Sequence, residues 1–196
     1  MLKTEMRTYS KDNELPKLTV KVKTLAAIIA VMLAVILPQV LYTAGLVTGI
    51  GTSLGEMFLP MHLPVMLVGF LAGPFVGAVS GFCAPLVSFA LTGMPMAAML
   101  PFMIIELTVY GLCGGALRNV KMPVFGKVLL AQIAGRAVRA GAILASVYVF
   151  GNNVISAKII VTSITVGAAG IVLQWILIPV VLYAVGKGNH NETRIG

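Results

Sequence analysis

Acidic residues are scarce in this chain: six Asp and Glu stand against fourteen Lys and Arg, a formal net charge of +8. Of the acids, only Glu106 falls inside a long apolar run. Charged residues of both signs make up 10% of the sequence, whereas a soluble domain carries about 25%. That excludes an ordinary soluble domain. Histidine is limited to His62 and His190. Lipid transferases and intramembrane proteases need clustered carboxylates, metal-ligand histidines or a nucleophile with its base. None of these sets can be assembled here, so no enzyme is expected. Cys83 and Cys113 lie in apolar runs without metal-ligand spacing; they read as small core residues and say nothing of redox compartment. The basic excess sits in the tails and one loop, where membrane topology accounts for it without nucleic acid. The first twenty residues are polar and mixed in charge, and no small-residue cleavage site follows the first apolar run, so no cleavable signal peptide is expected.

What the sequence does contain is apolar length. It is 59% hydrophobic over 196 residues, with a mean hydropathy of +1.01. The expectation is an all-α integral membrane protein. A polar cytoplasmic tail covers 1–23, a six-helix transmembrane domain covers 24–185, and a second cytoplasmic tail covers 186–196. The first span runs from about Thr24 to Tyr42, with a kink at Pro38. Along it Ala26, Ala30 and Ala34 recur every four residues, a flat stripe suited to close helix–helix contact, although ordinary alanine content gives the same pattern. Ala44 to Phe58 is a Gly-rich loop holding one acid, Glu56, and loops of this length in compact bundles are often lids or binding loops. A short apolar piece, Met61 to Ala72, carries Pro64 near its start. The third span, Phe75 to Leu91, comes with a Gly73–Gly77–Gly81 ridge, and Thr92–Pro95 is a turn. The fourth, Met96 to Leu117, contains Glu106 and Tyr110. The fifth runs from Val124 to Phe150. The last, Ile159 to Val185, carries Thr162, Ser163, Thr165, Gln174 and Trp175.

Charge placement decides how many times the chain crosses. Met61 to Leu91 reads either as two helices turning at Ala72–Pro74 or as one kinked helix. With six spans and the N-terminus inside, Lys3, Arg7, Lys11, Lys17, Lys21, Lys23, Arg118, Lys121, Lys127, Lys187 and Arg194 are all cytoplasmic, eleven of the fourteen basic residues. With five, the Arg118–Lys127 loop would face outward against the positive-inside rule. Six spans with both ends cytoplasmic is the expectation.

The fifth span is unusual in holding Gln132, Arg136 and Arg139 near its middle. Inserting an Arg at a helix centre costs roughly 2.5–3.5 kcal/mol, and such residues face a bundle interior or a wet cavity. Positions i, i+4 and i+7 project from one helical face. Glu106 and Arg136 fall at matching depth on antiparallel neighbours, so Arg136 is expected to be held by Glu106, leaving Arg139 without a protein acid. One reading is a structural ion pair. The other is a site for an anionic or carboxylate-bearing ligand, which the spare positive charge favours. His62 reads either as a helix-start cap or as a ligand contact.

The run LPMHLPVMLVGFLAGPFVGAVSGFCAPLVSFALTGMP, followed by MIIELTVYGLCGG and AQIAGRAVRAG, resembles the substrate-binding S component of energy-coupling factor (ECF) vitamin transporters, in the subgroup for niacin, pantothenate, pyridoxine and related compounds. The likeness spans about Leu25 to Val185. Its most specific pieces are Leu59–Pro60 with His62 and Pro64, Gly93 to Pro95, Glu106 with Tyr110–Gly111, and Gly135–Arg136. The resemblance implies a multi-pass protein of the bacterial plasma membrane with a vitamin pocket near the outer face, capped by the Ala44–Phe58 loop. Glu56, His62, Glu106, Tyr110, Gln132, Arg136 and Arg139 are its candidate substrate-binding residues. It further implies that Ala26, Ala30 and Ala34 meet a membrane coupling subunit, with two cytoplasmic ATPase subunits supplying the energy. The chain has no GxxxxGK[ST] phosphate-binding sequence and cannot be that ATPase; ATP belongs to the partners, and no cofactor is expected on this chain. The rival reading is a stand-alone carrier or channel, for which no convincing inverted repeat is visible.

Overall fold

The computed structural model describes residues 18–49, 51 and 53–195, leaving aside the side chains at 53, 54, 56 and 186–195. Among the described residues every regular element is helical: α1 (Val20–Val47), α2 (Ser53–Phe58), α3 (His62–Ala72), α4 (Pro74–Thr92), α5 (Leu100–Leu117), α6 (Val124–Tyr148), α7 (Ile159–Val166) and α8 (Ala168–Ile195). Five helices, namely α1, α4, α5, α6 and the Ala168–Val185 part of α8, are long and apolar enough to cross a bilayer. The protein has the make-up of a multi-pass membrane protein. Helix α3 is apolar but has only 11 residues. At ~1.5 Å per residue it reaches about half of a ~30 Å hydrocarbon layer.

The alternative of one kinked helix over Met61–Leu91 is resolved in favour of two. Gly73 separates α3 from α4 with φ 103, a conformation that glycine alone adopts without penalty. Pro74 then starts α4, where its missing N–H would have had no intrahelical partner.

Glycines seam α3, α4 and α5 together. A Cβ on Gly77 would collide with the carbonyl of Gly111, and a Cβ on Gly111 with that of Gly77. Gly69 likewise lies against Gly111, Gly81 against Leu107, and Gly115 against the Gly73–Pro74 backbone. Lipid offers no hydrophobic drive for helices to associate, so backbone approach and dispersion hold such a contact.

Four expectations are corrected. The Ala26–Ala30–Ala34 stripe is not left open for another subunit. Ala30 is 5% exposed and Ala34 wholly buried. Ala30 packs with Val68 and Ala72, with Ala26 against the same cluster, while Ala34 packs with Met61, Val65, Ala84 and Leu107. The small side chains are spent on seating α1 within this bundle, and the face carrying Ile28, Ile29, Met32 and Ile36 is the exposed one. Replacing Ala30 with Leu should therefore lower the stability of the isolated chain by about 1–3 kcal/mol through overpacking, read as a fall in Tm in detergent. An unchanged Tm would place the stripe outside the core.

Second, Ala44–Phe58 is mostly helical. Helix α1 runs through Pro38 to Val47, and α2 occupies the other end. Third, the last span breaks at Gly167 into α7 and α8. Helix α1 begins at Val20 and α8 continues to Ile195, while the part of α8 long and apolar enough to cross a bilayer ends at Val185. Fourth, the span expected from Met96 starts late: Met96–Met99 form turns, with Met99 N–H bonded to the Met96 carbonyl at 2.8 Å, and the helix begins only at Leu100.

Candidate functional site

Glu106 and Tyr110 are i, i+4 on α5 and share a face. Glu106 is 0% exposed. A carboxylate so removed from solvent needs donors or cations around it, and three elements provide them. The Tyr110 hydroxyl donates to Oε1 at 3.1 Å. Arg139 Nη1, from α6, donates to Oε2 at 2.9 Å. His62, the first residue of α3, brings Nε2 to 3.5 Å from Oε2. Neither ring nitrogen of His62 makes a hydrogen bond, so this last contact is electrostatic proximity. The imidazole also meets Tyr110 edge-on, with ring centroids 5.3 Å apart and planes at 62°.

The arginine on Glu106 is not the expected one. Gly135 explains why. It lies against the Tyr110 ring and the Glu106 carbonyl, where any side chain would collide. That approach sets α6 antiparallel to α5 with Gly135 level with Tyr110. Arg139, one turn further at i+4, is then level with Glu106, while Arg136 is rotated about 100° away from the contact. The depth expected from the sequence also moved, because α5 starts at Leu100 rather than Met96 and Glu106 falls in its second turn.

Arg136 is thus the spare guanidinium. Among the described residues no hydrogen bond or ion pair reaches it, and its Nε is buried without a partner. With Glu106, Arg139, Ile143, Ile160 and Ser163 it borders a cavity of about 10 Å³, room for roughly one water. A wider hollow of about 590 Å³ lies along the outer side of α1 from Val35 to Thr48. It is open, carries no charged residue in its lining and shares no lining residue with the small cavity, so the small cavity is the one that holds the buried charges.

Gln132 faces other partners. Its Oε1 accepts the Trp175 indole N–H at 2.6 Å, and its amide nitrogen donates to Gln174 Oε1 at 2.9 Å. Both ends of the side chain are committed within the protein. The structure therefore gathers His62, Glu106, Tyr110 and Arg139, sets Arg136 on the cavity wall, and ties Gln132 to α8. The Glu56 side chain lies outside the described residues. Sequence reasoning passed over Gln174 and Trp175 as site neighbours, although a second amide in an apolar span was a usable signal, since two buried amides satisfy one another. Ser163, whose hydroxyl donates to the Ile160 carbonyl at 3.0 Å, gave no such signal.

Among the described residues no group of His, Cys, Asp and Glu is placed to hold a metal ion. No protein-family model matches the chain, and neither the curated proteins nor the solved structures offer a significant match. The site must be read from its chemistry. Two guanidiniums face one carboxylate in an apolar bundle, a positive excess suited to an anion able to accept paired N–H donors.

Proposed function

We propose that this chain is the substrate-specific S component of an ECF-type importer, taking up a small carboxylate-bearing vitamin or precursor. The observation that carries the reading is Arg136, a guanidinium at membrane depth with a buried, unpaired Nε, bordering a small, mostly apolar cavity that it shares with Glu106 and Arg139. Intramembrane charges of this kind mark ligand or ion sites by default.

In this reading α3 serves as a short second crossing, giving six spans with both ends cytoplasmic. The Arg118–Lys127 loop is then inside, as the positive-inside rule prefers. The starts of α3 and α5 and the far end of α6 point outward, which puts the charged cluster nearer the outer face. A vitamin-sized ligand does not fit a cavity that holds one water, so a wall must move. Helix α7 contributes no buried residue and is the wall with least anchorage. Coupling to a membrane subunit and two ATPase subunits would use a face other than the buried alanine stripe, and the exposed side of α1 is the candidate.

Mass spectrometry of small molecules extracted from the purified chain tests the reading. A carboxylate-bearing compound of vitamin size is expected, and its uptake by vesicles should need the ATPase subunits and ATP. Uptake by this chain alone would make it a stand-alone carrier. Recovery of only neutral or cationic ligands would remove the argument from Arg136.

A further inference from the structure

A chain of side-chain hydrogen bonds runs from α8 through α6 and back to the turn before α3, and its direction is set by chemistry. The Trp175 indole can only donate. It donates to Gln132 Oε1, so the Gln132 amide nitrogen must point the other way, to Gln174 Oε1. That in turn aims the Gln174 amide nitrogen at the Leu59 carbonyl, 3.5 Å off. The same carbonyl accepts the backbone N–H of His62 at 3.1 Å. One oxygen therefore joins the chain to the residue that faces Glu106.

Leu59 needs holding. Its φ is +47, the one positive value at a non-glycine residue among those described, in a region that L-residues with a branched side chain seldom enter. The long Gln174 bond alone is a weak restraint at that distance. The cradle beneath it is steric. The Leu59 side chain lies on Gly167, and the backbone of Met57 and Phe58 lies on Gly170, at both of which a Cβ would intrude. Gly170 and Gln174, at i and i+4, share one face of α8, and Gly167 stands just before its first turn, its carbonyl accepting the Ile171 N–H.

We infer that this α8 face, with Gln132 and Trp175 behind it, is a positioning clamp that sets His62 against Glu106. Gln132, Gln174 and Trp175 are positioning residues; they act on the site through the Leu59 turn and touch none of the buried charges. The inference deepens the proposed binding role by naming what places His62 in that site, and its geometry does not depend on the identity of the ligand.

Acylation of His62 by diethyl pyrocarbonate tests it on the full chain in detergent without ligand, read by mass spectrometry of the His62 peptide, with His190 as the reference for reagent dose. Gln174→Leu and Trp175→Phe should each raise the His62 rate about tenfold, the change in a local opening equilibrium expected when one net hydrogen bond is lost. Trp175→Phe keeps an aromatic ring for the edge contact with Phe125, so it decides the matter if Gln174→Leu fails to fold. Ile178→Ala, a deletion at a fully buried position one turn along α8, should lower Tm and leave His62 labelling unchanged. Unchanged labelling in Trp175→Phe, or an equal rise in Ile178→Ala, overturns the clamp. Because the readout needs no ligand, it can fail while vitamin binding stands, and it can hold if no vitamin is found.

Discussion

Arg139→Gln should destabilise the protein by about 3–5 kcal/mol, the cost of removing one partner of a buried ion pair and stranding the other. The stranded group is Glu106, which has no exposure and takes its shortest contact from Arg139. Tyr110 would remain as a donor, and His62 at 3.5 Å would compensate only in part. Glu106→Gln should also destabilise, since it leaves Arg139 and Arg136 together without an acid. The double substitution should be less harmful than the sum of the singles, because two neutral amides can bond where two opposite charges did. Denaturation in detergent of the two singles and the double measures this coupling, expected at 0.5–3 kcal/mol by the usual range for residues in one network. Strict additivity would mean that the 2.9 Å contact contributes nothing beyond its two separate environments.

Arg136→Gln should behave in the opposite way. No hydrogen bond or close ion pair is lost, only the longer-range attraction to Glu106, and a neutral amide escapes part of the roughly 2.5–3.5 kcal/mol that inserting an arginine costs, so Tm should hold or rise. Binding of the carboxylate-bearing compound that copurifies with the chain should weaken by about 2–5 kcal/mol, the range for truncating one side of a buried charge pair. That is a factor of roughly 30 to 5,000 in Kd. Isothermal titration with the recovered compound, beside melting curves, separates the two effects. A fall in Tm with unchanged affinity would make Arg136 a structural residue and move the pocket elsewhere.

These two expectations exchange the roles that spacing alone suggests for the arginines, and the exchange shows what was legible. That two guanidiniums and one carboxylate share the interior can be counted along the chain, because the membrane penalises each of them wherever it sits. Which guanidinium meets the carboxylate depends on a register, and the register turns on two local facts. One is the late start of α5 after the Met96–Met99 turns. The other is the absence of a side chain at Gly135, which reads in sequence as one glycine among twenty-one. The short α3 was visible as a brief apolar run between Pro60 and Gly73, although charge placement counted it as a full span. The break between α7 and α8 was not. Gly167 follows Thr162, Ser163 and Thr165 in an otherwise apolar stretch with no proline beside it, and those hydroxyls bond back along their own helix, so only the Leu59 side chain lying on Gly167 gives it a purpose. The alanine stripe was legible as a packing face, but a stripe does not say whose helix packs there.

The glycine seam bears on how such a molecule can move. Where backbones touch, as at Gly77 and Gly111, there are no long side chains to change rotamer and absorb a displacement, and sliding by a fraction of an ångström sets carbonyl against carbonyl. Helices α3, α4 and α5 should thus behave as one stiff plate. Hydrogen exchange should be slowest in this plate, and free energies of opening there should approach that of global unfolding. Motion is left to the other side, where α7 is tethered by the Gly151 turn and the Gly167 break and buries none of its residues. The charged cluster straddles the line between this plate and α7: His62 and Glu106 belong to the plate, and α7 lines the cavity beside them with Ile160, Ser163 and Ile164. A molecule entering there would find its acid and imidazole already fixed, and the displacement needed to admit it would fall on one short helix.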